Sequence, residues 1–73
     1  MIRTFRNKLQ EFKVIISELN NNNYSLSVFY KDLFSPHLDY KKYRGYNKMY
    51  KGRDTLNEAI EELVNKHNLK EVS

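Results

Sequence analysis

The chain has 73 residues and no Cys, and its 13 Lys or Arg against nine Asp or Glu give a formal net charge of +4. A domain this short buries only about 60% of its unfolded surface, so we predict a single domain over residues 1–73 with a thin core, no disulfide and little room for an enzyme cleft. Hydrophobic residues make up 40% of the chain, too many for a disordered tail, and the positive charge favours an acidic or polyanionic partner.

The N-terminal stretch MIRTFRNKLQEF carries a charge every few positions, so it lacks the apolar region of a signal peptide. No stretch of the chain approaches a membrane-spanning length, and we expect a cytoplasmic protein with no membrane partner. Apolar residues recur three and four apart from Ile2 to Leu19, which would suit one long helix. The β-branched residues Val14, Ile15 and Ile16 favour a strand from about residue 12 instead, leaving the first ten residues as a helical turn or a further short strand.

Two candidate strands, EFKVIISEL and YSLSVFYK, flank a run of four Asn. The second of them alternates, with Tyr24, Leu26, Val28 and Tyr30 on one face. Asn accepts positive φ better than any other residue except Gly, so the Asn run suits a tight turn. We therefore predict a β-hairpin, followed by a loop around Pro36 in which His37 is an ordinary loop residue.

Residues 40–53, YKKYRGYNKMYKGR, contain six Lys or Arg, four Tyr and no acid, and we call them the ribbon. The β-propensity of Tyr predicts a third strand near residues 42–50. Alternation then places Tyr43 and Met49 on the core side, with Gly45 between them allowing the helix to approach closely. The opposite, outward side would carry Tyr40, Lys42, Arg44, Tyr46, Lys48 and Tyr50.

The segment DTLNEAIEELVNKHN predicts a C-terminal amphipathic helix. We expect a capping box between Thr55 and Glu58, with Asp54 as an alternative cap. We also expect a left-handed closing residue at Asn68 and His67 as a cation at the helix end. The apolar stripe consists of Leu56, Ala59, Ile60, Leu63, Val64 and His67. The outer, acidic surface consists of Asp54, Glu58, Glu61 and Glu62.

Together these elements predict an α+β fold, in which a small antiparallel sheet, formed by the β-hairpin and a third strand, packs against the C-terminal helix. No catalytic motif, metal-ligand spacing or phosphate-binding loop is present in the sequence, so we expect no enzyme activity, no cofactor and no metal. A basic ribonuclease is the one enzyme class that fits the size, but no general acid or base can be assigned to it.

Our leading prediction is a small binding protein, encoded by a phage or mobile element, that docks on a host protein and inhibits or modulates it. Tyr and Arg are enriched at binding hot spots, which supports this view. The alternative is a module that binds single-stranded RNA or DNA, and a solvated edge strand with no partner is a third interpretation of the ribbon. A homodimer is left open. The predicted binding residues are Tyr40, Lys42, Arg44, Tyr46, Lys48, Tyr50, Lys51 and Arg53.

Overall fold

A computed structural model describes residues 1–34 and 39–72, which form an antiparallel sheet with one helix packed against it. The predicted α+β fold is confirmed. The strands are β1 (Ile2–Arg6), β2 (Gln10–Glu18), β3 (Asn23–Asp32), β4 (Lys41–Lys42), β5 (Met49–Lys51) and β6 (Lys70–Val72), and the helix is α1 (Arg53–His67). The predicted loop residue His37 lies outside the described residues.

The N-terminal segment is a strand, which decides between the two possibilities left open by the sequence. β1 pairs antiparallel with β2 from Ile2 opposite Ile15 to Arg6 opposite Glu11. Asn7 makes the connecting turn, because its side-chain Oδ1 accepts hydrogen bonds of 2.8 Å from the backbone N–H groups of Leu9 and Gln10. This local bonding is the reason an Asn suits the turn.

The predicted hairpin of β2 and β3 is confirmed, with β2 beginning two residues earlier than expected. Asn21 and Asn22 both have φ of 60°, in the left-handed region that Asn tolerates. The turn is closed by the backbone N–H of Leu19, which donates to the carbonyl of Asn23 at 2.7 Å. These two strands form the centre of the sheet.

The predicted third strand exists only as two short pieces, β4 and β5, which both pair with β3. A single strand over 42–50 is wrong because the chain loops out between them, and Gly45 within that loop has φ of 108°. Asn47 replaces the missing backbone partner, since its Oδ1 accepts a hydrogen bond of 2.9 Å from the N–H of Val28. A Cβ on Gly45 would meet nothing within 4 Å, so Gly45 serves the backbone conformation and not a close approach of the helix.

Helix α1 packs on one face of the sheet through Leu56, Ile60 and Leu63, as the apolar stripe predicts. Its start differs from the prediction. The residue before it is Gly52, with φ of 87°, and no side chain caps the helix, so the capping box and the alternative cap at Asp54 are both wrong. The helix ends as predicted, because Asn68 takes the left-handed conformation with φ of 52°.

After the helix, Leu69 is buried and the chain returns as β6 beside β1, a strand that the sequence does not predict. The guanidinium of Arg3 donates two hydrogen bonds of 2.8 Å to the carboxylate of Glu71 across this strand pair. The strand order of the sheet is therefore β4-β3-β2-β1-β6, with β5 on the same edge of β3 as β4.

The core lies between α1 and the sheet face that it covers. Its buried residues are Phe5, Phe12, Val14, Ile16, Tyr24, Leu26, Val28, Tyr46, Tyr50, Leu56, Ile60, Leu63 and Leu69. Within the described ranges, no helix or strand covers the opposite face of the sheet, which we call the open face.

Candidate functional site: the open face of the sheet

The register of the strands shows which side chains share the open face, because paired residues of neighbouring strands point to the same side. Six of the 13 basic residues of the chain occupy strand positions on this face, against one of the nine acids, Glu11. The six are Arg6, Lys13, Lys31, Lys42, Lys51 and Lys70. The open face is therefore more strongly positive than the chain as a whole.

These charges are concentrated at one end of the strands, in two adjacent rows that cross the sheet. The first row consists of Lys70, Arg6, Glu11 and Lys31, and the second of Val72, Thr4, Lys13, Phe29 and Lys42. The next rows are neutral and consist of Ile2, Ile15, Ser27, Ser17, Ser25 and Met49. A polyanion would meet its strongest attraction on the first two rows.

The side chain of Tyr40 lies on this charged end of the open face. The ammonium groups of Lys13 and Lys31 lie 4.5 and 4.7 Å from the centre of its ring. Its hydroxyl donates a hydrogen bond to Glu11 Oε2. The ring of Tyr40 is therefore held at Lys13 of β2 and Lys31 of β3.

Glu11 is a buried acid, with its side chain only 7% exposed. Arg6 Nε donates to its Oε1 at 2.6 Å, and Lys31 Nζ lies 3.5 Å from its Oε2. The hydrogen bond from Tyr40, followed by that from Arg6, holds the pKa of Glu11 below its usual value despite the opposing effect of burial. Glu11 is thus a fixed carboxylate whose charge is compensated by its neighbours.

Only part of the ribbon reaches the open face. Tyr40, Lys42 and Lys51 lie there, whereas Arg53 begins α1. Arg44 and Lys48 line a shallow pocket between the loop and the helix, together with Glu62 and Lys66. The eight predicted binding residues are therefore not one surface.

The outward placement of Tyr46 and Tyr50 is wrong, because both are core residues, and Met49 is exposed where a core contact is predicted. The hydroxyl of Tyr46 donates to Glu62 Oε1 at 2.9 Å, and that of Tyr50 donates to the carbonyl of Tyr46 at 3.2 Å. Burial and then the bond to Glu62 raise the pKa of Tyr46 to about 12. The hydroxyl of Tyr46 therefore connects the loop to α1, and the hydroxyl of Tyr50 connects β5 to the loop.

His67 belongs to an aromatic cluster under the helix end, and its burial there disfavours the predicted cation. Its ring centre lies 4.9 Å from that of Phe12 and 5.4 Å from that of Tyr43, and its Nε2 shares a hydrogen bond of 2.8 Å with the hydroxyl of Tyr43. Desolvation by burial, and then the nearby charge of Lys66, lower the pKa of the imidazole. The lowered pKa favours the neutral imidazole, which packs against Phe12 and Tyr43.

Sequence reasoning missed five basic or aromatic members of the open face: Arg6, Lys13, Phe29, Lys31 and Lys70. Lys13, Phe29 and Lys31 alternate with the buried residues of β2 and β3, so the period of two was a usable signal. The position of Arg6 depends on β1 being a strand, which the sequence left open, and that of Lys70 depends on β6, which the sequence does not predict.

Comparisons of the chain with protein-family models, with curated proteins and with solved structures find no match. Within residues 1–34 and 39–72, no helix is long and apolar enough to cross a membrane. The same residues contain no group of three side chains suited to hold a metal ion. The open face is therefore the candidate site on its chemistry alone.

Proposed function

We propose that this protein binds single-stranded nucleic acid on the open face of its sheet. The observation that carries the proposal is the ring of Tyr40, held by Glu11 across β2 and β3 beside Lys13 and Lys31. Cations that neutralise phosphates and aromatic rings that stack on bases are the two components of sequence-tolerant recognition of single strands.

The shape of the open face supports a single strand over a duplex. Sequence reading of duplex DNA requires a helix or a β-ribbon in the major groove, but the outer surface of α1 is acidic and would be repelled by phosphates. A broad sheet face instead offers its side chains to bases that are already unpaired, as in other sheet-based RNA-binding modules. A cytoplasmic location, expected from the sequence, would bring the face into contact with RNA.

The experiment is a fluorescence anisotropy titration of labelled oligouridylate, oligothymidylate and a duplex of mixed sequence at several salt concentrations. We expect the single strands to bind more tightly than the duplex and the affinity to fall steeply as salt rises. The test variant is Lys13→Gln/Lys31→Gln, and the control is Lys41→Gln/Lys66→Gln, which removes the same charge away from the open face.

We expect the test variant to bind at least about tenfold more weakly, equivalent to about 1.4 kcal/mol. The control should change affinity only slightly, through its effect on net charge. Equal weakening by both variants would show that binding is a general response to charge and would sink the proposal.

A second candidate function is docking on an acidic surface of a host protein, and the exposed apolar side chains on the same face favour it. Ile2 is 61% exposed and Met49 67% exposed, and hydrophobic area of this kind is common at protein interfaces. Affinity capture from nuclease-treated bacterial lysate distinguishes the two. One stoichiometric protein partner, retained by wild type and lost by the Lys13→Gln/Lys31→Gln variant, would favour docking.

A further inference from the structure

We infer that a bound strand crosses the β-strands at right angles, with its phosphates along the first row and its bases over Phe29 and the neutral rows. This inference rests on the proposed function and deepens it, because it assigns a direction and an orientation to the same site. The phosphate track consists of Lys70, Arg6 and Lys31.

The direction follows from where the positive charges lie. Neighbouring strands are about 4.8 Å apart, so the first two rows place cations across a width of about 19 Å from β6 to β4. A ligand running along β2 or β3 would leave the two charged rows after one or two contacts and then pass over Ile15, Ser27 and Ser25. Only a path across the sheet keeps the backbone near cations throughout.

The orientation of the bound strand follows from the decrease in the number of charged side chains from the first row to the third row. Every side chain of the first row is charged, and the single acid in it, Glu11, is compensated by Arg6, Lys31 and the hydroxyl of Tyr40. The second row has an aromatic ring, Phe29, between two lysines, and the third row is uncharged. Phosphates therefore match the first row, and bases match the second and third rows.

The track also continues beyond the edge of the sheet. A groove of about 650 Å³ lies at the ends of β1 and β6, and Arg6, Lys8 and Lys70 line it together with Leu9 and Val72. Two of these cations, Arg6 and Lys70, already belong to the first row. The positive surface therefore runs without interruption from the sheet into the groove.

Two exposed lysines at opposite ends of the open face provide a matched test, with labelled oligothymidylate as the probe. Lys70→Gln removes a member of the track, whereas Lys51→Gln removes the same charge from the far end of the face, opposite Asn23. For a single strand, each lost phosphate contact reduces the slope of log affinity against log salt by about 0.7. We expect this reduction for Lys70→Gln and none for Lys51→Gln.

The stacking half of the inference is tested by Phe29→Leu, which keeps an apolar side chain but removes the aromatic face. We expect affinity to fall by about fivefold or more with the salt slope unchanged. Thermal unfolding, monitored by circular dichroism, checks that each variant is folded. A titration with oligothymidylates of increasing length should level off at about four to six nucleotides, near the short end of known site sizes.

The possible failures are distinguishable. If wild type binds no oligonucleotide, the proposed function falls and this inference falls with it. If wild type binds but Lys51→Gln reduces the slope as much as Lys70→Gln, or Phe29→Leu changes the slope, the assigned track is overturned while the proposed function stands.

Discussion

Glu11 places a negative charge in the middle of a positive surface, and the reason is visible in its contacts. Arg6 and Lys31 lie on either side of it in the first row and would repel each other without it. Glu11 also accepts a hydrogen bond from the hydroxyl of Tyr40, and this bond holds the Tyr40 ring next to the ammonium groups of Lys13 and Lys31. We regard Glu11 as a positioning residue that keeps the ring of Tyr40 next to Lys13 and Lys31.

The tyrosine hydroxyls predict a distinctive alkaline titration. Burial, followed by the hydrogen bond to Glu11, raises the pKa of Tyr40 to about 12, and burial with the bond to Glu62 does the same for Tyr46. Both lie above the value of about 10 for an unfolded tyrosine. Their contribution to stability is therefore complete below about pH 10 and is lost as the pH rises towards 12.

The measurement is tyrosinate absorbance against pH, with circular dichroism to follow unfolding. We expect at least two of the six tyrosines to titrate late, together with loss of the fold. Tyr40→Phe and Tyr46→Phe should each remove one late-titrating tyrosine. A wild-type titration in which all tyrosines ionise together near pH 10 would contradict the bonding described for Tyr40 and Tyr46.

At the scale of elements, the sequence was informative where one period governed a whole segment. The stripe of Leu56, Ile60 and Leu63 predicted the buried face of α1, and the Asn run with its alternating flank predicted the hairpin. These signals are local, so no knowledge of the rest of the fold is needed to read them.

The ribbon could not be read in the same way, because its structure depends on residues far from it in the sequence. Alternation assumes a continuous strand, but the loop between β4 and β5 turns Tyr46 towards Glu62 and Tyr50 into the core. The bond from the N–H of Val28 to Asn47 that supports this loop spans 19 residues. The sequence therefore predicted the basic and aromatic composition of the site, but only Tyr40, Lys42 and Lys51 of its positions.

The helix should supply much of the stability of this small domain, and Leu63→Ala tests that. Leu63 is 1% exposed and lies in the core shared by α1 and the sheet. Replacing a buried Leu by Ala costs about 2–5 kcal/mol, through lost burial and the cavity left behind. We expect urea denaturation to show that the free energy of unfolding falls by an amount in this range.

The matched control is Asn57→Ala, at an exposed position on the same helix. This substitution should change the free energy of unfolding by no more than about 0.5 kcal/mol. Ala has a higher helix propensity than Asn, so a loss of the same size in both variants would mean that the effect of Leu63→Ala does not come from packing against the sheet.

At the scale of the whole molecule, the two sides carry opposite charge. The open face holds six basic residues in strand positions, while the exposed acids of α1, Asp54, Glu58, Glu61 and Glu62, lie on the side of the core away from the sheet. A polyanion approaching in solution would be turned towards the open face, since clustered charges of one sign steer association. The acids of α1 can thus influence how a ligand arrives without touching it.

We predict that neutralising two of these acids changes the rate of nucleic-acid association in a salt-dependent way. Even the shorter dimensions of the molecule, 23 and 21 Å, exceed twice the Debye length of about 8 Å at 0.15 M salt. We therefore expect Glu58→Gln/Glu61→Gln to speed association at low salt, measured by stopped-flow fluorescence with labelled oligothymidylate, and to leave affinity at 0.15 M within about twofold of wild type. The comparison is Lys13→Gln/Lys31→Gln, which should weaken binding under both conditions. If the helix variant changes affinity at 0.15 M as strongly as the lysine variant does, then the ligand contacts α1, and the open face is not the whole binding surface.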